Sequence, residues 1–384
     1  MTTGTQVQLR RGTEAEVASF TGAAGEVTPD MTNNRLVLHD GATVGGHPQA
    51  SEAFVADAIA AAVEDAGVAS LNGKTGAVLA YFPPQGRLTL TSGSPVMMTS
   101  ASAQTTVYYT PFVGNMIPIY DGSNMVPMPF AELSAATADT NHSPAAIGAN
   151  KVNDWFVWND GGALRLSHGP DWASDTTRSA GTNLTLVNGI WLNNADIANG
   201  PTALRGTYVG TTRSNGTSSI DWTFGSVASG GGRAVFFVWN AYNRVPVATM
   251  VGDSTASWQY DVATTWRAPN SNSNMRVHVV RGFNIDGARA EYAATAQCGS
   301  STKVSVGIGL NSTSELAAGA TTAMANHPTG ELTTLTAKFS GLIGAGYSYL
   351  SALERNSTTT ASTWYGYSAS PENIQSGLHL ELWQ

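Results

Sequence analysis

Ser362-Thr-Trp364-Tyr365-Gly-Tyr367, preceded by Asn356-Ser-Thr-Thr-Thr, mixes aromatic rings with amide and hydroxyl side chains. Ser257-Trp258-Gln-Tyr260 with Trp266-Arg267 repeats the mixture. Sugars present apolar C–H faces that stack on rings, and hydroxyls that need polar partners, so this is the composition a glycan-binding loop requires. Trp364, Tyr365, Tyr367, Asn356, Trp258 and Trp266 are therefore the candidate glycan-binding residues. The competing reading is that these rings fill a core or a subunit contact, as large aromatics commonly do. Trp155, Trp158, Trp222 and Trp239 lie in apolar runs and read as core.

Catalytic chemistry finds less support. Asp171 and Asp175 are the best nearby carboxylate pair, but glycoside hydrolysis needs two carboxyl groups held across the scissile bond, and loop spacing says nothing of that separation. Turn-making is the simpler role for both. The seven histidines show no metal-ligand spacing with one another, with cysteine or with glutamate. Gly307-Ile308-Gly309 falls inside a strand pattern, and Gly73-Lys74-Thr75 lacks the upstream glycine of a phosphate loop. The glycine pair fits a site where another backbone approaches closely. No catalytic residue, metal or cofactor is expected. A single cysteine, Cys298, excludes an intrachain disulfide framework. Charged residues make up 12% of the chain and the net charge is −8, so neither nucleic acid nor membrane insertion is expected. The first ten residues lack a signal-peptide core, which places synthesis in the cytoplasm.

The elements that must position these residues are mainly strands. Val304, Val306, Ile308 and Leu310 alternate with Lys303, Ser305, Gly307 and Gly309, and Leu378, Leu380 and Leu382 alternate with His379, Glu381 and Trp383. Each is a period-two pattern with one face buried. Asn188-Gly189 between Leu184–Val187 and Ile190–Asn193 predicts a hairpin. Asp121-Gly122 and Asp160-Gly161-Gly162 predict two more. Near the amino end, Val7–Arg10 and Arg35–His39 read as short strands, in a stretch too poor in apolar residues to close a core alone. Ser51–Ala66 reads as a helix, with Ser51 as cap and Val55, Ile59, Ala62 and Ala66 on one apolar stripe. A lone helix of this length is marginal, so the stripe is expected to pack in a trimeric bundle. The fold class is mainly β: a small amino-terminal β module, one short helix, then antiparallel β-sandwich domains in a homotrimer. The expected divisions are 1–50, 51–70, 71–80 as a connector, 81–212 and 213–384, the last boundary drawn at the polar cluster Arg213–Ser219.

Gln8-Leu9-Arg10-Arg11-Gly12-Thr13, Ala24-Gly25-Glu26, Asp30, Thr32, Arg35-Leu36 and His39-Asp40-Gly41 together resemble the amino-terminal domain of the phage major tropism determinant, with Val17 where the family often has an aromatic. Leu71–Val78 is similar to a connector of phage tail fibres. The resemblance implies a small trimeric module on a phage fibre or spike. From it follow the remaining expectations: a non-enzymatic structural protein of the virion surface, attached to other tail or capsid proteins through residues 1–50. Its β domains would contact a host-surface glycan. A head fibre or decoration protein without receptor affinity, and a polysaccharide-degrading tailspike, are the alternatives.

Overall fold

The computed structural model describes residues 9–50, 55–59, 70–71, 74–75, 82–227, 232–369 and 372–384. The chain divides into two units, Met1–Ala80 and Tyr81–Gln384. In the first, Val27–Asp30, Arg35–Leu38 and His47–Pro48 form an antiparallel sheet. The turn from Asp30 to Arg35 is tied by the Asp30 carboxylate, which accepts hydrogen bonds from the Thr32 and Asn33 amides, Asn33 Nδ2 and Arg35 Nε. Val17 and Val37 are buried, whereas Leu9, Met31, Leu36, Leu38 and Val44 are exposed. The expected strand at Val7–Arg10 is not seen: residues 7 and 8 lie outside the described residues, and Leu9 and Arg10 are not in a strand. The first element is instead a one-turn helix, Glu14–Ala18. Its start is a capping box in which Thr13 Oγ1 accepts from the Glu16 amide and Glu16 accepts from the Thr13 amide.

Residues 55–59 are helical, with Val55 and Ile59 exposed. Ala62 and Ala66 lie outside the described residues, as does the rest of the Ser51–Ala66 helix beyond 55–59. In the connector, Ser70–Leu71 pairs with Lys74–Thr75.

The second unit is built from antiparallel sheets with one parallel pairing of strands among the described residues, Ala234–Phe236 against Arg276–Arg281. One sheet runs in the order Ala163–Asp171, Val152–Asp160, Thr207–Arg213, Ile190–Asn193, Leu184–Val187, with Val238–Asn240 also on Thr207–Arg213. A second has seven strands: Ala323–Ala325, Val304–Leu310, Gly346–Asn356, Arg276–Arg281, Ala234–Phe236, Ile220–Thr223 and Ala101–Gln104. A third centres on the long strand Gly287–Gln297. Leu332–Leu342 lies along one edge of that strand. Ser376–Trp383 and then Pro246–Gly252 flank one half of its other edge, and Ser362–Tyr365 and then Ser257–Tyr260 the other half.

All three expected hairpins form: Leu184–Val187 with Ile190–Asn193, Met116–Tyr120 with Met125–Pro129, and Val152–Asp160 with Ala163–Asp171. Asn188 and Gly189 both have positive φ, as a two-residue turn demands. Trp155, Trp222 and Trp239 are core residues, while Trp158 is half-buried with its indole N–H donated to Ser167 Oγ. The sheets run across the 212/213 boundary. Val238–Asn240 pairs back to Thr207–Arg213, and Ala101–Gln104 pairs forward to Ile220–Thr223. The polar cluster read as a linker is a tight turn, in which Asn215 Oδ1 accepts from the amides of Thr217 and Ser219.

Candidate ligand-binding face

Alternation along Gly287–Gln297 decides which side chains can meet a ligand. Ala288, Ala290, Tyr292, Ala294 and Ala296 are buried, so Arg289, Glu291, Ala293, Thr295 and Gln297 point to the opposite face. The flanking strands obey the same parity. Leu378, Leu380 and Leu382 enter the core, and His379, Glu381 and Trp383 are exposed. Leu335, Ala337 and Phe339 enter the core, and Lys338, Ser340 and Leu342 are exposed.

Register assembles these outward residues into rows. Ala248, Glu381, Arg289 and Ser340 are successive cross-strand partners; Met250, His379, Glu291 and Lys338 form the next row. Glu291 and Lys338 are paired at 3.3 Å. Arg289, His379 and Glu381 make no ion pair among the described residues, so their polar groups are free for a ligand. Trp383, 48% exposed, ends the face beside them. Two adjoining shallow depressions of about 470 and 450 Å³ share Arg289, Ser340 and Glu381; one reaches His379 and Lys338, and the other reaches Trp383. At ~4.8 Å between strands, the four strands present a platform roughly 15 Å wide. Its chemistry is a ring for stacking beside carboxylate, guanidinium, imidazole and hydroxyl groups.

The candidate residues of the sequence separate by the same parity. Trp364 is fully buried, and its cross-strand partner Trp258 is buried too. Neither can stack on a ligand, because both occupy inward positions of their strands. The Trp258 indole N–H is donated to Glu354. Asn356 is also fully buried, its amide donating to the carbonyls of Tyr260 and Thr360. These three are structural, which corrects the expectation for them. Tyr365 lies one residue from Trp364 and therefore on the open face, opposite Thr295, with its hydroxyl donated to Gln297 Oε1 at 2.7 Å. Tyr367 is half-buried in a separate small hairpin, Tyr367–Ala369 with Glu372–Ile374. Trp266 is half-buried beside Gly307, and Arg355 lies over its ring. The structure thus brings Tyr365 to the face of Trp383 and leaves Tyr367 and Trp266 off that sheet. Trp383 is a further candidate, and the leucine alternation at 378–382 already puts it on the solvent side.

Other charged side chains are engaged within the fold. Glu354, fully buried, accepts from Trp258 Nε1, Arg267 and the Asn270 amide. Burial pushes its carboxyl up to about 7, against the opposing pull of Arg267 and these donors. Asp154 receives a bidentate pair from Arg178, whose guanidinium lies 4.2 Å from the Trp172 ring centre. Asp171 and Asp175 are engaged by Lys151 and Arg213 respectively. Among the described residues no helix is long and apolar enough to cross a membrane.

Comparison with known proteins adds three findings. The chain is 31% identical over 172 residues to the tail fiber receptor-binding protein of Bordetella phage BPP-1, covering 40% of this chain and 44% of that protein. The chain thus spans less than half the length of this curated relative. Two solved structures, the I1 and U1 variants of the major tropism determinant, align with 72% of this chain and 56% of theirs, at 18% and 19% identity and a TM-score of 0.20 each. The third finding concerns the amino-terminal residues singled out by their spacing: residues 7–43 match the family model of the major tropism determinant N-terminal domain.

Proposed function

We propose that this chain is a receptor-binding fibre protein of a phage tail, held to the virion through residues 1–50 and binding a host-surface glycan on the open face that carries Trp383 and Tyr365. The observation that carries this reading is the similarity to a tail fiber receptor-binding protein over 172 residues. The amino-terminal family match supports the virion end of the assignment. The open face supports the other end: the exposed Trp383 ring, the polar groups of Arg289, His379 and Glu381 and a flat platform suit a sugar chain, and affinity at one face is multiplied by copies per fibre and fibres per particle. The work is binding and presentation, without a reaction.

The protein is a trimer on this reading. Leu36, Leu38, Met31 and Val44 are exposed on a module with Val17 and Val37 as its buried apolar pair among the described residues, a surface that sister copies would cover. Val55 and Ile59 are exposed on the 55–59 helical segment in the same way.

The test is retention of the purified, labelled protein on cells of the host that the phage adsorbs to. Saturable retention, released by soluble host glycan, is expected. No retention would instead support an architectural fibre. A fall in polymer size on incubation with host polysaccharide would establish the tailspike alternative.

A further inference from the structure

The seven-stranded sheet carries a second cluster, composed of cations and tyrosines. Arg276 stands over the Tyr349 ring at 5.1 Å. His278, two residues on along the same strand, is 7% exposed. Its Nδ1 lies 2.7 Å from Tyr347 Oη, and its ring stacks near-parallel to Tyr347 at 5.9 Å and tilts against Tyr349 at 5.7 Å. Arg213 covers the Tyr347 ring at 4.0 Å. Arg233 immediately precedes Ala234, which pairs in parallel with Val277, so Arg233 sits beside Arg276.

Three arginines thus surround one imidazole in a chain of net charge −8. Burial and these three cations hold the His278 ring neutral, down to about 3. Asp175 is paired with Arg213 at 3.2 Å. Among the described residues Arg233 and Arg276 form no ion pair. His278 Nε2 and Arg276 Nε are buried with no hydrogen-bond partner. In the tautomer in which Tyr347 donates its hydroxyl to Nδ1, Nε2 carries the ring proton and is a second orphaned donor. A buried donor left unpaired loses its hydration without a replacement bond. An anion among them would satisfy both and relieve the repulsion between the guanidinium groups.

We propose that Arg233, Arg276, His278, Tyr347 and Tyr349 form a binding site for the anionic group of an acidic glycan, a carboxylate or phosphate borne by a sugar that lies against the Tyr349 ring. Both tyrosines retain exposed area. Just past the neighbouring strand Val304–Leu310, Asn311 Nδ2 donates to Ser348 Oγ and Asn311 Oδ1 accepts from the Tyr349 amide, which fixes the tyrosine backbone beside the site. A polyanion such as nucleic acid is disfavoured because the acidic chain repels it, whereas a sugar bearing one charge per repeat needs only this local field. The proposal rests on the receptor-binding reading for the source of the glycan, and it occupies a different sheet from the face of Trp383.

The experiment titrates the full chain, by calorimetry and ligand-observed NMR, with trigalacturonic acid, glucose 6-phosphate and neutral maltotriose. Binding of one or both acidic probes and not of maltotriose is expected, weakening as salt rises. The probe that binds identifies carboxylate or phosphate as the preferred group. Arg233→Gln, at an exposed position, is expected to weaken that binding about tenfold with unchanged melting, the loss of one charge-assisted hydrogen bond. Trp383→Ala is expected to leave it unchanged. Failure of both acidic probes to bind would overturn the proposal, as would wild-type binding by folded Arg233→Gln and Arg276→Gln. If Arg233→Gln loses the acidic probe while the wild-type chain is not retained on host cells, the site stands and the receptor reading falls.

Discussion

Parity along a single strand separates solvent-facing from core residues here, and it sets opposite expectations for neighbouring aromatics. Trp364→Ala empties a fully buried position and should cost about 3–5 kcal/mol of stability, read as a lowered denaturant midpoint. Trp383→Ala removes an exposed ring, so stability should stay within about 0.5 kcal/mol while retention on host cells drops. Glu354 supplies a pH test. Its carboxyl lies near 7 in the fold against an ordinary value of 4.5. Because the folded value is the higher one, its contribution is full below about 4.5 and is lost as pH rises through about 7. Melting temperature measured across this window should fall less steeply with pH in Glu354→Gln than in the wild type. The aromatic–amide mixture was legible in the sequence as a glycan-type composition, but composition does not report side. Trp258 and Trp364 read identically to exposed rings until cross-strand register turns both inward.

Local chemistry made the turns readable. Asn188-Gly189 needs two positive φ values, and few other residue pairs supply them, so the hairpin could be placed to the residue. The strand Val304–Leu310 was equally plain; of its two glycines Gly309 has the expected reason, another backbone close by, while Gly307 faces side chains. A Cβ at Gly309 would lie 2.3 Å from the Ser312 carbonyl oxygen, and one at Gly307 would strike Leu316. Gly309→Ala should therefore destabilise the protein by about 1–3 kcal/mol in chemical denaturation, because backbone must shift to admit the methyl group. What the sequence concealed was pairing between distant segments. The strand Ala101–Gln104 reaches Ile220–Thr223 across more than a hundred residues, and no local signal at Asn215-Gly216 distinguishes a turn within a sheet from a linker between domains. The one-turn helix Glu14–Ala18 escaped a reading based on periodicity because five residues are too few to show a period, although the Thr13/Glu16 capping box announced it.

For the whole molecule, an apolar-poor amino-terminal module and a sheet-built second unit fit a particle-bound protein that presents a surface. Light scattering of the purified chain should give three times the mass of 40.0 kDa. Combined Val55→Asp and Ile59→Asp should shift that mass toward the monomer, because charge would enter the proposed seam. The amino-terminal resemblance was legible because it rests on many short elements at fixed spacing, whereas the binding surface depends on register among strands far apart in sequence. The most direct test of the receptor-binding claim is competition. Host cells are saturated with the purified protein before the phage is added, and free phage is counted over time. Adsorption slowed several-fold by the wild-type protein, and much less by Trp383→Ala, is the predicted result; adsorption unchanged at saturating protein would contradict the account.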